Sequence, residues 1–412
     1  MSFLYLFGIK LFHLLVQLAS IFNAKAKLWL NGRKNIFEVL SHQIQPEDKI
    51  AWVHCASLGE FEQGRPLIEE LKKRHPDYKI LLTFFSPSGF EIRKNYEKAD
   101  FVCYLPLDTP RNAKQFLNIV KPQLIFFIKY EFWYFFLREI WKRKIPLYLV
   151  SGIFRKNQRF FRRYAVLSKE MLSWFTHFFV QNENSKQLLN SINIQNVTVT
   201  GDTRFDRVFT ITQQSKNLPI IEKFAQNNTL LIAGSTWKPD EEILIKFFNQ
   251  SNNQLKLIIA PHETHKENID RIIKLFPDKN LVRRYSEVIE SELSNIKVLI
   301  IDSIGILSSI YKYGQIAYIG GGFGKGIHNI LEAATFGMPI IFGPEFKKFQ
   351  EAIDLINLGG ASSISKFEDF QDTINSFIEN DEVIVRKGNI SSNYVKKMKG
   401  ATDKILSNIY LK

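Results

Sequence analysis

Along the chain, short runs of consecutive apolar residues repeatedly give way to amphipathic stretches. The runs at 50–54, 80–84, 124–128, 147–150, 178–181 and 197–200 are near-continuously apolar, as befits strands covered on both faces. Their alternation with segments of helical spacing predicts a parallel α/β sheet with helices on both sides. A polar stretch at 210–217 interrupts the pattern, which restarts at 230–233, 256–260, 298–301, 316–319 and 339–342. Two doubly wound, Rossmann-like domains facing a central cleft are therefore expected, with no solenoid period or low-complexity tract. The expected bounds are 1–25 for an N-terminal helix, 26–212 for the first α/β domain and 213–412 for the second, whose last helix is free to cross back to the first.

Residues 1–22 have a pattern of their own. Lys10, His13, Gln17 and Ser20 form one polar stripe on an otherwise apolar helix. Such a helix is about 33 Å long, close to a hydrocarbon thickness, so length alone permits spanning or lying flat. The stripe suits a helix lying in the membrane interface, or one packed on the protein. No basic segment precedes the apolar run and no small-residue cleavage site ends it, which argues against a removed signal peptide. Lys25, Lys27, Arg33 and Lys34 follow, as on a cytoplasmic flank.

Charge sharpens this picture. Residues 1–200 hold 29 Lys and Arg against 16 Asp and Glu, whereas the remainder is balanced at 26 against 25. A basic half attracts a polyanion, either nucleic acid or an anionic membrane, and the N-terminus favours the membrane. In a second basic stretch, 154–163, Arg155, Lys156, Arg159, Arg162 and Arg163 interleave with Phe154, Phe160 and Phe161. This suits a lipid headgroup layer, or equally a solvated helix face above core aromatics. Hydrophobic residues at 45% and charged residues at 23% exclude a mostly disordered chain and a polytopic membrane protein. Cys55 and Cys103 are the only cysteines of the 412 residues, too few for a disulfide framework, and indicate a reducing compartment.

In doubly wound sheets ligands bind beyond the carboxyl ends of strands, so candidate chemistry is sought there. After the first run comes His54-Cys-Ala-Ser-Leu-Gly59-Glu60. Glu60 at a helix entrance either complements the helix dipole or, facing a cleft, takes a proton from an attacking hydroxyl; Gly59 permits close backbone approach. His54 reads as a packed strand-end residue. The second run ends in a hydroxyl-rich loop with Ser86, Ser88 and Gly89, which is either a capped helix start or an anion site. Glu131 follows the run at 124–128, as a structural partner of Lys129 or Arg138 or as a site carboxylate. In the second half, Gly234-Ser235-Thr236 and Pro261-His262-Glu263-Thr264-His265 end two runs. His262 and His265 lack further ligands at recognisable spacing, so no metal is expected. Residues 318–334 place a strand before a loop with Gly320, Gly321, Gly322, Gly324, Lys325 and Gly326, then Asn329 and Glu332 on a helix. Such a loop lets backbone N–H groups approach a phosphate, with Glu332 accepting from ribose hydroxyls or closing a cap with Asn329.

Taken together and in order, the apolar N-terminus, 54–60, 83–89, Glu131-Phe-Trp133, Gly201-Asp-Thr-Arg-Phe-Asp206, Gly234-Ser-Thr236, 302–305 and 320–332 resemble the 3-deoxy-D-manno-oct-2-ulosonic acid (Kdo) transferases of lipopolysaccharide assembly. The resemblance implies a GT-B architecture and transfer of Kdo from CMP-Kdo to a lipid A precursor. It implies no metal or other cofactor and no nucleic acid, at the cytoplasmic face of an inner membrane. It also implies roles: Glu60 as catalytic base; Ser235, Thr236, Pro261, His262, Gly321, Gly322, Lys325, Asn329 and Glu332 on the donor side; Gly59, Ser86, Ser88, Gly89, Glu131 and Arg204 on the acceptor or Kdo side. Two positions depart from the family pattern. His262 stands where Arg is usual, leaving Lys325 as the candidate to supply that charge, and Arg204 stands where Lys is usual, keeping the charge and changing its geometry. The alternatives are another GT-B nucleotide-sugar enzyme, such as a sugar-nucleotide 2-epimerase, and a non-catalytic membrane-bound nucleotide-binding or nucleic-acid-binding protein. An epimerase needs no lipid acceptor and so gives no reason for the apolar N-terminus.

Overall fold

The computed structural model describes residues 2–162, 166–250 and 255–409. Two compact units divide the chain: the first comprises Met1–Arg207 with Lys399–Lys412, the second Val208–Met398.

The first unit contains a parallel sheet of seven strands: β1 (Lys49–Cys55), β2 (Tyr78–Phe84), β3 (Phe101–Tyr104), β4 (Leu124–Ile128), β5 (Leu147–Gly152), β6 (His177–Val180) and β7 (Val197–Val199). Their spatial order is β3-β2-β1-β4-β5-β6-β7. Alternation along each strand feeds two cores. Trp52, Leu81, Ile125, Phe127, Leu149 and Phe178 enter one, with the helices Pro110–Val120 and Tyr134–Lys142 above them. Val53, Leu82, Phe126, Ile128, Val150 and Phe179 enter the other, closed by the helix Leu58–Arg74 and by Ile405 and Leu406 of the returning helix Ala401–Ser407. Continuous apolar runs arise because both faces are buried.

The second unit repeats the plan with β8 (Leu230–Thr236), β9 (Lys256–Pro261), β10 (Val282–Arg284), β11 (Val298–Ile300), β12 (Ile316–Ile319), β13 (Ile340–Phe342) and β14 (Ala361–Ser363). The order is β10-β11-β9-β8-β12-β13-β14, again parallel throughout. Strands β10 and β14 lack a continuous apolar run, and each lies at a sheet edge.

The N-terminal helix Ser2–Ala19 has the length and composition to cross a membrane and buries no residue fully. One side docks on the first unit. Tyr5 donates its hydroxyl hydrogen to Asp108 at 2.7 Å and packs on Tyr134 and Phe135, and Phe12 and His13 meet Trp29. The expected polar stripe divides accordingly: His13 and Ser20 are half-buried while Lys10 and Gln17 are exposed. The opposite side carries Phe3, Leu4, Phe7, Leu14, Leu15 and Leu18, all more than half exposed. In the basic stretch, Phe154 and Phe160 are buried core residues and not headgroup-facing aromatics, while Arg155, Lys156, Arg159 and Arg162 are exposed. A 3₁₀ turn at Arg159–Phe161 stands in place of a helix face. Arg163 lies outside the described residues.

Candidate active site

The chain order reverses between β1 and β4 in the first sheet and between β8 and β12 in the second, where β11 also turns back to lie between β10 and β9. Ligands of doubly wound sheets bind at such switch points. Four of the segments singled out in the sequence leave these strands.

In the first unit, β1 leads into the helix Leu58–Arg74. Glu60 sits in its first turn, half-buried, where a carboxylate complements the helix dipole. The Ser57 hydroxyl at the N-cap position donates to Glu60 Oε2 and makes no cap bond to the helix amides. Gly59 is exposed, and an added Cβ would meet only Ser57 Oγ at 3.7 Å, so close packing does not explain it.

Across the switch point stands Glu131, 7% exposed. Its partners are neither Lys129 nor Arg138. Glu131 Oε2 accepts from Trp133 Nε1 at 2.7 Å and lies 3.1 Å from His54 Nε2. His54 is fully buried, its Nδ1 2.8 Å from Thr83 Oγ1, which in turn accepts from Trp52 Nε1 at 2.8 Å. A carboxylate oxygen only accepts, so the bond to Glu131 Oε2 calls for the imidazole proton on Nε2, a nitrogen that also lies 3.2 Å from Trp133 Nε1. His54 is thus a positioning residue. Both Glu60 and Glu131 bear on Cys55, whose thiol is pushed well above its ordinary range first by burial and then by these carboxylates. Tyr130 is likewise raised by burial, with Arg155 opposing and Glu60 adding to the shift. The backbone turns sharply here, Lys129 holding φ 71° while its N–H donates to Val150 O at 2.9 Å.

The loop after β2 closes on the same strand end. Phe85 and Ser86 donate their amides to Ala56 O, and Ser86 caps the helix Pro87–Arg93 while its hydroxyl lies 2.6 Å from that of Ser88. Gly89 is required by packing, because an added Cβ would stand 2.3 Å from the Phe84 ring and 3.1 Å from the Ser57 carbonyl carbon. Phe85 packs at a tilt on Trp133, with ring centroids 4.6 Å apart, and stacks on Phe12 of the N-terminal helix at 6.2 Å. Arg33 fixes this corner by donating to the carbonyls of Trp29, Phe85 and Leu105. Burial lowers the Arg33 guanidinium to about 9, which leaves it charged at neutral pH.

The 201–206 segment acts as a clasp. Asp202 is held below the ordinary carboxylate range because the charge and hydrogen bonds of Arg204 outweigh the opposing effect of burial. It also accepts from Gln63 on the helix that carries Glu60. Thr203 donates to Gln63 O at 2.5 Å, and Asp206 accepts from Gly400 and Thr402 at the start of the returning helix. Arg204 is therefore engaged in an ion pair that supports the Glu60 helix from behind.

In the second unit, β8 ends at Ser235, φ 54°, and at Thr236, which is buried and donates to Glu241 Oε1 at 3.0 Å. The Thr236 hydroxyl hydrogen is thereby taken by Glu241. Pro261 closes β9, and His262 beyond it is exposed. After β12 the glycine loop runs back over both neighbouring strand ends. Gly321 has φ 91°, and a Cβ on Gly322 would stand 2.6 Å from the Gly343 backbone. The Gly321 amide is already used, donating to Asp240 Oδ2 at 2.9 Å. Asp240 also accepts from Trp237 N and the Tyr318 hydroxyl, and burial raises its carboxyl despite these three donors. The helix that follows is short, Leu331–Thr335, so loop amides rather than a long helix dipole would meet an anion. Asn329 bonds both the Leu331 amide and Glu332 Oε1 at its start. Lys325 is exposed on the loop, beside a cavity of about 530 Å³ lined by Trp237, Asp240, Phe323 and His328. His265 lies between Glu263 and Glu267, apart from His262.

Sequence reading gave no role to Trp237, Asp240 and His328, which hold this loop, nor to Thr83, which holds His54, and Trp133, which holds Glu131, although the last two lie in the quoted motifs. Each lies within six residues of a singled-out residue, yet His328 bonded to Trp237, Gly321 and Tyr318 bonded to Asp240, and His54 bonded to Thr83 come from distant stretches of the chain.

Two parallel seven-stranded α/β units with polar residues gathered at both switch points define a GT-B-type enzyme. Solved structures agree on the fold. UDP-GlcNAc 2-epimerase from Neisseria meningitidis bound to UDP-GlcNAc is similar with a TM-score of 0.59 and 18% identity, over 87% of this chain and 100% of that one. Acinetobacter baumannii MurG gives 0.57 and 11%, over 87% and 98%. Residues 32–207 match the family described as 3-Deoxy-D-manno-octulosonic-acid transferase (kdotransferase). The 3-deoxy-D-manno-octulosonic acid transferase of Aquifex aeolicus is 30% identical over 317 residues, 75% of this chain and 80% of the relative. That of Haemophilus influenzae is 25% identical over 373 residues, 88% and 86% respectively. The chain belongs to the Kdo transferase family and is a glycosyltransferase of lipopolysaccharide biosynthesis.

Proposed function

We propose that this enzyme transfers Kdo from CMP-Kdo to the lipid A precursor lipid IVA, by inverting displacement at the cytoplasmic face of an inner membrane. The observation that carries the reading is the pair of carboxylates, Glu60 and Glu131, at one switch point of a chain with this family membership. Glu60 is oriented by Ser57 and partly open to solvent, and it serves as the base that takes the proton of the attacking sugar hydroxyl. Such a base contributes roughly 10²–10⁴-fold. Glu131, spent on His54 and Trp133, is better suited to orienting the sugar than to exchanging protons. Arg204 supports the Glu60 helix through Asp202.

On the donor side, Ser235, the free amides of the glycine loop, Lys325, Asn329 and Glu332 surround the end of β12 and are assigned to CMP. No metal is required by this scheme, since departing CMP is stabilised by fixed donors and cations. Membrane attachment is assigned to the outward apolar side of the helix Ser2–Ala19.

The test is mass spectrometry of lipid IVA after incubation with the enzyme, Kdo, CTP and a CMP-Kdo synthetase. Wild type should add the mass of one or more Kdo units, and Glu60→Gln should lose at least a hundredfold in rate while keeping its fold. No mass gain with folded, membrane-reconstituted wild type would overturn the assigned donor and acceptor.

A further inference from the structure

A line of ring contacts runs from the N-terminal helix to the buried carboxylate at the first switch point. Glu131 Oε2 receives two donors, Trp133 Nε1 at 2.7 Å and His54 Nε2 at 3.1 Å, and its Oε1 makes no hydrogen bond among the described residues. The two donors are not held alike. His54 is fully buried and fastened by Thr83. Trp133 is half-buried, and its ring contacts among the described residues are His54, with centroids 6.5 Å apart, and Phe85, at 4.6 Å. The indole that binds the carboxylate therefore takes its orientation chiefly from Phe85.

Phe85 is pinned through its main chain, its amide donating to Ala56 O and its carbonyl accepting from Arg33 Nη2 at 2.8 Å. Its ring meets three others. Trp133 lies at 31° to it and Phe12 of the N-terminal helix at 28°, while Trp29 meets it edge-on at 5.7 Å. Trp29 is buried, lies 3.7 Å from the Arg33 guanidinium and packs edge-on against Phe12 at 5.6 Å. Phe12 differs from the rest. It is 39% exposed and is the ring about Phe85 carried by a helix that buries no residue fully.

We propose that the N-terminal helix is a working part of the acceptor site: Phe12, packed on Phe85, holds Trp133 at the angle that keeps Glu131 aimed at the acceptor sugar. The helix then does more than attach the enzyme to a membrane, and Phe12 is a positioning residue that acts through Trp133. The bond it governs is charge-assisted, an indole N–H to a carboxylate, and so depends steeply on the orientation of the donor ring. Aromatic pairs have preferred geometries that a smaller side chain does not reproduce.

This inference rests on the role proposed for Glu131, and the experiment separates the two. Steady-state transfer of Kdo to lipid IVA is measured with full-length enzyme in detergent micelles, where binding to vesicles does not limit the rate. Trp133→Phe keeps a ring against Phe85 and removes the donor to Glu131, so kcat should fall about tenfold. Phe12→Ala should lower kcat about fivefold with donor KM unchanged, and Phe12→Tyr, which keeps the ring, should stay within about twofold of wild type. In the Trp133→Phe background, Phe12→Ala should cost no more than about twofold, because the bond through which it acts is already gone. A second cycle with Glu131→Gln in place of Trp133→Phe should show the same absence of a further loss, and it decides the matter if Trp133→Phe does not fold. Equal losses from Phe12→Ala with and without Trp133 and Glu131, or an effect confined to acceptor KM, would overturn the proposal, since Phe12 would then support the fold or bind the acceptor directly. A Glu131→Gln enzyme as active as wild type would remove the role of Glu131 itself, and the inference with it.

Discussion

At the scale of single residues, the acceptor-side chemistry depends on side chains that hold other side chains. Glu60 is reachable, but the Ser57 hydroxyl fixes one of its oxygens. Ser57→Ala leaves the carboxylate in place and frees its rotamers, so kcat should fall about tenfold, the worth of one hydrogen bond to a charged group, with little change in donor KM. Steady-state kinetics beside Glu60→Gln check this, and a Ser57→Ala enzyme as impaired as Glu60→Gln would show that Ser57 itself handles the proton. Gly89 makes the opposite kind of demand. Its added methyl group would overlap the Phe84 ring and press on the Ser57 carbonyl. Gly89→Ala should therefore cost about 1–3 kcal/mol by overpacking and push the Ser57–Glu60 turn out of line. A thermal midpoint equal to wild type would rule that packing account out.

At the scale of elements, the docking of the N-terminal helix has a titratable hinge. Asp108 is buried, accepts from Tyr5 and from the amides of Phe135 and Phe136, and is raised to about 6 by burial against the opposing pull of those bonds. A carboxyl whose folded value lies above its unfolded one adds stability below the unfolded value, near 4, and loses that contribution as pH rises through 6. Relative to Asp108→Asn, which does not titrate, wild type should thus gain on the order of 2 kcal/mol as pH falls from about 7 to about 4.5. Urea denaturation of both proteins at the two pH values measures the difference, and a pH-independent difference would contradict it. These long-range partners mark the limit of what sequence conveys. The central strands and the segments at their ends are legible because a strand buried on both faces must be apolar throughout. Edge strands β10, with Val-Arg-Arg, and β14, with Ala-Ser-Ser, carry no such run, since one side of each faces away from the sheet. Likewise, the carboxylate at 131 is visible in sequence, but its bond to His54 spans 77 positions and depends on β1 lying beside β4. The flat pairing of Trp237 with His328 spans 91 and has no local signature.

At the scale of the whole molecule, charge and apolar surface lie in the same unit. The first 200 residues hold 29 Lys and Arg against 16 Asp and Glu, and the helix Ser2–Ala19 turns Phe3, Leu4, Phe7, Leu14, Leu15 and Leu18 outward. That helix touches the unit at Tyr5 and again at Phe12 and His13, two turns later, so in this arrangement it lies along the domain surface. A bilayer that receives the outward side would bury several large side chains, each worth about 1.5–3 kcal/mol when fully desolvated, while the basic unit is drawn to anionic headgroups. The two contributions are separable because salt screens only the second. Flotation with vesicles containing anionic lipid should retain the wild type at low salt and release only part of it at high salt. Phe3→Ser, Phe7→Ser and Leu14→Ser combined should remove the salt-resistant fraction and leave a weaker binding that salt abolishes. Since these three positions lie on the side facing away from Tyr5, the variant should keep the thermal midpoint of the first unit. Equal flotation of variant and wild type at high salt would show that these three side chains do not carry the salt-resistant contact, whereas complete release of the wild type at high salt would shift the membrane attachment to exposed cations such as Arg155, Lys156, Arg159 and Arg162.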